Sequence, residues 1–508
     1  LCVSGGTSLI VDVRGYTDMA ILGSTRDDAA GECFDKIARV MGLGYPGGAP
    51  LDRAAQTGND QAFVLPRVHI EDAPLDMSFS GLKTAMLNLI HNAQQKGEEL
   101  PVSDLAASFS AAVSDELVPR TMAAAAQTGY GKVAVVGGVA ANSRIRADIL
   151  AAAEKLGAEV LREVVSRFEL PTDAIDYIIG GNAVGGGGNI TRLAALSAGF
   201  PERIPAVTLD LQCGSALEAI SAAAAKIESG MADLVIAGGM ESSSVQPYRM
   251  MSPNHPEYDG GKVYTVAQFV PGKRGEQVML EGAEETAIRE NVSKEEMDTW
   301  VLRSHKRAAQ ARKEGILEDI TVSIDGSSRD EGIRPTMSQR LIDRLPYLLP
   351  NGTKITAANA CLMHDGAAFV VLCSERFLRE QGRKAECRFR FGTAIGDDPM
   401  MSPKSAVSAA KAILAKTGHS YQEIDAFEVN EAFAVIDVLF ERAFPGIEDR
   451  YNIWGGALAY GHPYGVSGAM ILLHLMKALE YKNGHLGMCC VAAAGGIGSS
   501  ILVEKVMK

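Results

Sequence analysis

The chain has 508 residues, of which 47% are hydrophobic and 22% charged, so it is long enough to form about three globular domains with full cores. Its 62 acidic residues outnumber its 49 basic ones, which gives a net charge of −13 without any run of five or six like charges. This balance argues against a nucleic-acid groove or a surface for anionic membranes, and favours a small-molecule substrate.

The cysteine pattern and the hydropathy of the chain indicate its compartment. Eight cysteines are spread along the sequence without paired C-x-x-C zinc spacing and without the density of a disulfide framework. No uninterrupted apolar run reaches the length of a membrane-spanning helix. The segment that comes nearest, "MCCVAAAGGIGSSILV", is broken by Gly and Ser. We therefore expect a cytoplasmic protein with no metal site and no membrane partner.

In chain order, the first long unit is "KVAVVGGVAANSRIRADILAAAEKLGAEV" at residues 132–160. It predicts a strand, a glycine turn and a helix that runs from Ser143 to about Phe168. No linker rich in Pro, Gly or Ser separates this unit from the α/β pattern that follows, although independent domains usually have one. Two α/β systems therefore meet at an abrupt junction near residues 158–164.

Two later segments repeat one order of elements: a helix, an apolar strand and a glycine turn. They are "CGSALEAISAAAAKIESGMADLVIAGGMESS" and "GHPYGVSGAMILLHLMKALEYKNGHLGMCCVAAAGGIGSS". The repeat predicts two similar α/β halves, with Cys213 and His462 at equivalent loop-to-helix junctions. A thiol at the start of a helix can become a nucleophilic thiolate when an imidazole accepts its proton. The structural alternative is a Cys213 that only packs and a His462 that only caps a turn.

From about Glu163 to the C-terminus the sequence resembles the thiolase family. The motifs, in order, are "LQCGSALEA", "AGGMESSS", "VLRSHKRAA", "ITAANACLMHDGAA", "EVNEAFAV" and "GGALAYGHPYGVSGA". The resemblance implies that Cys213 carries the acyl group as a thioester, that His462 activates the thiol, and that Asn430 positions a water which binds the thioester oxygen together with His462. It also implies that the backbone N–H groups of Cys213 and Ala494 form a second oxyanion site.

The same resemblance implies the substrates and the assembly. Acyl-CoA and coenzyme A would be the substrates, with no tightly bound cofactor, and the protein would be a homodimer or a homotetramer. The insert at about 244–356 would hold the pantetheine and the nucleotide of coenzyme A.

The sequence departs from the family pattern at three places. Ala492 stands where the family has a second cysteine that acts as acid and base, and Cys490 lies about 6.6 Å away along a strand. We therefore expect acylation of Cys213, with carbon–carbon bond formation and cleavage impaired by roughly 10²- to 10⁴-fold. Cys361 replaces a serine that is common near the pantetheine.

The third departure is at the front of the thiolase-like region, where the family's first strand, loop and helix are missing. The loss of a central strand predicts a vacancy in the sheet. We hypothesise that the predicted strand Lys132–Val136 and the helix after it dock in that place.

Residues 1 to 160 resemble the bacterial TsaD family, which transfers a threonylcarbamoyl group to tRNA adenosine. The motifs are "TRDDAAGECFDKIARVMGLGYPGGAPLDRAA", "DMSFSGLKTAM" and "VVGGVAANSRIRADI". The resemblance implies that Asp35, Gly48, Asp52 and Asn142 contact the nucleotide-like part of the transferred ligand. The family's metal-binding segments are missing and its "VSGGHT" reads "VSGGTS", so tRNA modification and a nucleic-acid partner are not expected.

Together these patterns predict an α/β chain. An incomplete actin/Hsp70-like (ASKHA) fragment at 1–160 precedes a thiolase-like fold, with its N-terminal half and loop insert at 163–376 and its C-terminal half at 377–508. The predicted function is a coenzyme A-dependent acyltransferase of the thiolase class. The alternatives are tRNA threonylcarbamoyl transfer by the N-terminal fragment and an inactive fusion.

Overall fold

The structure, a computed structural model, divides into two compact units. It describes residues 1–14, 18–60, 62–66, 70, 73–128, 134–185, 187–243, 246–247, 249–272, 275, 277–324, 328, 330 and 332–506. Unit 1 comprises Leu1–Ala153 with Ser323–Arg329, and unit 2 comprises Glu154–Val322 with Asp330–Lys508.

Unit 1 is a small α/β unit built on a three-stranded antiparallel sheet with the order β1-β2-β3. In helix α1, Phe34, Ile37 and Ala38 recur at helical spacing and are buried, and the Phe34 ring meets Phe109 edge-on with centroids 5.3 Å apart. The elements are β1 (Cys2–Val3), β2 (Ser8–Val13), β3 (Met19–Ser24), α1 (Ala30–Val40), α2 (Gly48–Ala55), α3 (Ser80–Lys96) and α4 (Val102–Thr128).

The helix predicted at the junction is confirmed as α5 (Ser143–Arg167), which begins in unit 1 and ends in unit 2. The docking hypothesis for the preceding strand is wrong. Lys132 and Val133 lie outside the described residues. The N–H of Val136 donates to Leu1 O (2.9 Å) and its carbonyl accepts from Val3 N (2.8 Å), so this segment extends the sheet of unit 1.

Unit 2 contains two four-stranded sheets, one in each half. Its elements are β4 (Tyr177–Gly181), α6 (Ile190–Ser197), β5 (Ala206–Leu209), α7 (Ser215–Glu228), β6 (Leu234–Ser242), β7 (Arg249–Met250), β8 (Val263–Tyr264), α8 (Val278–Arg289), α9 (Lys294–Glu314), α10 (Gln339–Ile342), β9 (Asp365–Cys373), α11 (Glu375–Glu380), β10 (Cys387–Gly396), α12 (Ser405–Thr417), β11 (Ala426–Val429), α13 (Ala434–Ala443), α14 (Ala457–Tyr460), α15 (Ser467–Lys482), β12 (Leu486–Ala493) and β13 (Ile497–Lys505).

The sheet of the first half has the order β5-β4-β6-β9, with β4 parallel to both of its neighbours. The vacancy expected from the missing front elements is therefore not found, because β4 and β6 pair directly, with Ile178 opposite Ile236. Direct pairing satisfies the backbone groups that an absent central strand would have left exposed. The sheet of the second half has the order β10-β13-β12-β11.

Helices α7 and α15 bring the two halves together. α7 packs on β4 and β6, α15 packs on β11 and β12, and the two helices touch each other. Their contact is close at Gly468, where a Cβ atom would come within 2.6 Å of the backbone nitrogen of Leu217. A larger residue at position 468 would push the two helices apart, so the junctions before them would separate as well.

The insert between β6 and β9 carries the hairpin β7-β8 and helices α8, α9 and α10. Helix α9 begins with a capping box formed by Ser293 and Glu296 and ends at Gly315, whose φ is 69°. On α9, Trp300 packs against Tyr451 with ring centroids 5.0 Å apart, which joins the insert to the core of the second half. Among the described helices, none is long and apolar enough to cross a membrane.

The part of α5 that belongs to unit 2 supplies buried apolar side chains, including Ala158, Leu161 and Val164. It lies close to β6, since a Cβ atom on Gly157 would come within 2.6 Å of the Met240 sulfur. Residues 156–167 of α5 therefore pack beside β6, although the strand before this helix belongs to unit 1.

Deleting residues 1–125 is expected to leave soluble protein, whereas deleting residues 1–162 is expected to give insoluble protein. The longer deletion removes the buried side chains of Ala158 and Leu161 and exposes the apolar surface against which they pack. Each Å² of apolar surface that becomes exposed loses about 25 cal/mol of hydrophobic stabilisation. The measurement is the soluble fraction of each truncation expressed in parallel. Equal solubility of the two would contradict a covering role for α5.

Candidate active site

Cys213 lies in a tight turn between β5 and α7. Gln212 has a φ of 53°, a left-handed conformation that is rare for a residue other than glycine. The turn is held by Asp210, whose Oδ1 accepts from Gln212 N at 2.8 Å, and by Ser215, whose Oγ accepts from Leu211 N at 2.8 Å. These bonds place Cys213 just before the first turn of α7, where the helix dipole favours a negative charge.

The Cys213 side chain is buried, and its sulfur is faced by two backbone N–H groups, those of Ala494 and of Cys213 itself. Burial raises the pKa of the thiol to about 12, and the two N–H groups oppose that rise. The resting side chain is therefore a neutral thiol. The N–H groups favour negative charge at the sulfur or at an oxygen bonded next to it.

His462 lies in the loop before α15, and its hydrogen bonds determine its tautomer. Asn430 Nδ2, which can only donate, lies 3.3 Å from its Nε2, so Nε2 is the accepting nitrogen. Nδ1 lies 2.6 Å from Ser467 Oγ, which also lies 3.1 Å from the Pro463 carbonyl. Burial lowers the pKa of His462 to about 3. The ring is thus neutral with an unprotonated Nε2 that can accept a proton.

Asn430 follows β11 and reaches the same imidazole, with its Nδ2 at 3.3 Å from His462 Nε2. Its loop is held by Asn452, whose Oδ1 accepts from Val429 N at 2.7 Å, and by Glu431, whose Oε2 accepts from Ser304 Oγ at 2.6 Å. The Asn430 Oδ1 atom is buried and has no hydrogen-bond partner among the described residues. An unsatisfied amide oxygen beside an imidazole is a place where a water or a substrate group can bind.

Tyr464 connects the two junctions. Its ring meets that of His462 edge-on with centroids 5.0 Å apart, and it packs against the apolar cluster that contains Cys213. Burial raises the pKa of Tyr464, and the charges of Cys361 and Cys213 add to the rise. Cys213, His462, Asn430, Cys361 and Tyr464 therefore belong to one enclosed site. The sequence analysis overlooked Tyr464 and Ser467, although both stand in the motif "GHPYGVSG".

Glu241, at the end of β6, joins the two halves beside this site. Its carboxylate accepts from Asn182 Nδ2 (2.8 Å), Ala183 N (2.8 Å), Val184 N (3.2 Å) and Gly465 N (2.9 Å). Burial raises the pKa of Glu241 to about 7, against the effect of the backbone N–H groups. The sequence analysis missed Glu241, although a lone carboxylate after the apolar run "LVIAGGM" is a visible signal.

Replacing Glu241 with Gln is expected to slow acylation of Cys213 by at least about 10-fold. An amide has one accepting oxygen, so its NH2 group would face N–H donors that now meet a carboxylate, at a cost of about 1–3 kcal/mol. Because one of those donors is Gly465, three residues after His462, the loop that carries the imidazole would shift. The measurement is the rate of covalent acetylation by acetyl-CoA, with the exposed Glu228→Gln as the matched control. An unchanged rate in Glu241→Gln would contradict this positioning role.

Ala492 lies at the end of β12, opposite Gly498 of β13, and is buried. Cys490 belongs to the same apolar cluster, but its sulfur lies 3.3 Å from Ser500 Oγ, and burial raises the pKa of its thiol to about 12. Cys490 thus lies two residues before position 492 on β12, and its thiol contacts Ser500 on the neighbouring strand β13.

In unit 1, three of the four residues assigned to nucleotide contact lie in or beside helix α2, and the fourth precedes α5. Asp35 Oδ1 accepts from Gly47 N at 2.6 Å, next to Gly48, the first residue of α2. Asp52, within α2, accepts from Ser143 N and Ser143 Oγ, both at 2.8 Å. Asn142 Oδ1 accepts from Arg144 N and Ile145 N, both at 3.1 Å, and so caps the start of α5. Each of the three polar side chains has a local structural role.

The described residues contain no group of three or more His, Cys, Asp or Glu side chains placed to hold a metal ion.

Comparison with known proteins matches three family models to this chain. Residues 133–376 match the N-terminal domain of thiolase, residues 384–505 match its C-terminal domain, and residues 1–165 match tRNA N6-adenosine threonylcarbamoyltransferase. The first and third matches overlap at 133–165, the segment that carries α5.

Similar proteins match about two thirds of this chain. The "Putative acetyl-CoA C-acetyltransferase VraB" of Staphylococcus haemolyticus is 34% identical over 66% of this chain and 87% of its own length. The steroid 3-ketoacyl-CoA thiolase FadA6 of Mycobacterium tuberculosis is 33% identical over 69% of this chain and 88% of its own length. The crystal structure of the Bacillus anthracis acetyl-CoA acetyltransferase has a TM-score of 0.64 and 28% identity, and covers 70% of this chain and 93% of its own.

The paired halves, the site between α7 and α15 and these matches lead to one conclusion: the chain belongs to the thiolase family, with a segment similar to tRNA N6-adenosine threonylcarbamoyltransferase in front.

Proposed function

We propose that the protein is a coenzyme A-dependent acyltransferase that carries the acyl group on Cys213. The observation that supports this most is that Tyr464 links a buried thiol, faced by the N–H groups of Ala494 and Cys213, to an imidazole with an accepting Nε2. The substrates in this proposal are acyl-CoA and coenzyme A, as the names of the relatives indicate for those proteins.

In the acylation step, the Cys213 thiol transfers its proton to His462 Nε2 while the sulfur attacks the thioester carbonyl. Asn430 Nδ2, now 3.3 Å from Nε2, holds the ring in place and lies beside the developing oxyanion. The N–H groups of Ala494 and Cys213 provide donors for the oxygen of the acyl-enzyme in its later reactions. The coenzyme A thiol leaves with the proton that His462 received, so the first half-reaction requires no further acid or base.

The second half-reaction is expected to be impaired. Ala492 has no ionisable group to transfer a proton. The nearby Cys490 thiol is hydrogen-bonded to Ser500. We therefore propose that Cys213 is acylated, whereas carbon–carbon bond formation and cleavage are slow. We also propose a homodimer or homotetramer in the cytoplasm, and the domain bounds 1–160, 163–376 and 377–508.

We do not propose nucleotide binding by unit 1. The side chains of Asp35, Asp52 and Asn142 already hold the ends of α2 and α5, so their residue types have a structural explanation.

The test is an intact-mass spectrum of the protein after incubation with acetyl-CoA. One covalent acetyl group that maps to Cys213 supports the proposal. A protein that acquires no acetyl group while remaining folded would support the inactive fusion instead.

A further inference from the structure

The cleavage of a 3-ketoacyl-CoA requires a proton donor that the residues considered so far do not provide. When the Cys213 sulfur attacks the C3 carbonyl, the C2–C3 bond breaks and its electron pair stays on C2 as the enolate of acetyl-CoA. That carbon must receive a proton before acetyl-CoA can leave. His462 holds the proton of Cys213 and returns it when Cys213 is released, and Ala492 has none to give. Another proton-bearing side chain of the site could therefore serve C2.

Cys361 occupies a segment that lies between the two loops of the site. Its N–H donates to the carbonyl of Ala432, two residues after Asn430, at 3.0 Å. The carbonyl of the next residue, Leu362, accepts from the N–H of His462 at 2.8 Å. The backbone of Cys361 is thus fixed to the asparagine loop and adjoins the histidine loop.

Cys361 also packs against the core of the second half and lies within electrostatic reach of Cys213. It packs against the apolar cluster that contains Ala492, Ala432 and Phe433. Burial is the main cause of the raised pKa of Cys361, and the charge of Cys213 adds to the rise. A thiol in this setting stays protonated and can act as a donor.

We propose that Cys361 is a catalytic acid and base of this protein. It carries out the proton transfers of the carbon–carbon step that the chain performs without a thiol at position 492. The inference rests on the proposed acyltransferase function. In thiolysis, the Cys361 S–H gives its proton to C2 of the departing enolate. The Cys361 thiolate then takes the proton of the incoming coenzyme A thiol, whose sulfur attacks the Cys213 thioester. Cys213 leaves as a thiolate and recovers its proton from His462, so both cysteines end as thiols.

Two other side chains of the site are weaker candidates for this role. His364 has its Nδ1 engaged by the Tyr460 carbonyl, at 2.5 Å. The Tyr464 phenol is a weaker acid than a thiol in the same surroundings, because its ordinary pKa is higher. Tyr464→Phe is therefore included as a comparison.

The experiment uses Cys361→Ser in two backgrounds, the natural chain and Ala492→Cys. Serine is close to cysteine in size but is a far weaker acid. In the natural chain we expect acetoacetyl-CoA thiolysis to fall at least about 10-fold, while Cys213 still becomes acetylated. In the Ala492→Cys background we expect a change of less than about 3-fold, because the new thiol takes over the proton transfer. Cys373→Ser, at the end of β9, is the matched control.

A second readout separates proton transfer from simple positioning. In D2O, the acetylated enzyme should exchange the methyl protons of a second acetyl-CoA for deuterium, and Cys361→Ser should slow this exchange by the same factor as thiolysis. The role of Cys361 would be overturned if Cys361→Ser lost thiolysis equally in both backgrounds. It would also be overturned if Cys361→Ser left the rate of deuterium exchange unchanged. A loss in Tyr464→Phe with none in Cys361→Ser would overturn it as well. Failure of the natural chain to acetylate Cys213 would instead refute the proposed function on which the inference rests.

Discussion

Replacing Cys213 with Ser or Ala is expected to abolish the covalent acetyl group that acetyl-CoA leaves on the protein. The thiol is the only side-chain nucleophile that we assign to the turn before α7, and two N–H groups face its sulfur. Because the resting pair is a neutral thiol and a neutral imidazole, acylation requires proton transfer to His462 Nε2 during the attack. Serine, with a far less acidic hydroxyl, should not react measurably on the same timescale.

The measurement is intact mass followed by peptide mapping after a fixed incubation with acetyl-CoA. Cys361→Ser and Cys490→Ser should still acquire one acetyl group, which controls for loss of a cysteine as such. Acetylation that persists in the Cys213→Ala protein would refute the assignment of the nucleophile.

Replacing Ala492 with Cys is expected to raise acetoacetyl-CoA thiolysis by at least about 100-fold, the low end of what a positioned acid or base contributes. Position 492 lies in the apolar cluster against which Cys361 packs, opposite Gly498 of β13. The added sulfur makes a buried side chain larger, and such a change typically lowers the free energy of unfolding by about 1–3 kcal/mol.

The assay follows the loss of acetoacetyl-CoA absorbance at matched concentrations of folded protein, with thermal unfolding measured alongside. Ala493→Cys, one residue along β12 and on the opposite face of the strand, is the matched control and should show no gain. If Ala492→Cys gives no gain although Cys213 is acetylated, position 492 is not the missing acid and base.

The sequence by itself determined the local elements and the place of the chemistry within them. The repeated order of helix, apolar strand and glycine turn predicted α7 with β6 and α15 with β12, and the structure confirms those elements. It also predicted α5 across the junction of the two family-like regions. These predictions succeeded because hydrophobic period and glycine turns act over neighbouring residues.

Only the tertiary structure decided how strands far apart in sequence pair. The direct pairing of β4 with β6 replaced the expected vacancy, and Val136 joined Leu1 and Val3 rather than the second unit. The accepting nitrogen of His462 follows from Asn430, and the role of Glu241 follows from Gly465, more than 200 residues away. The physical reason is that strand neighbours and buried hydrogen-bond partners are chosen by long-range packing. A local pattern can indicate that a group needs a partner, but not which distant residue provides it.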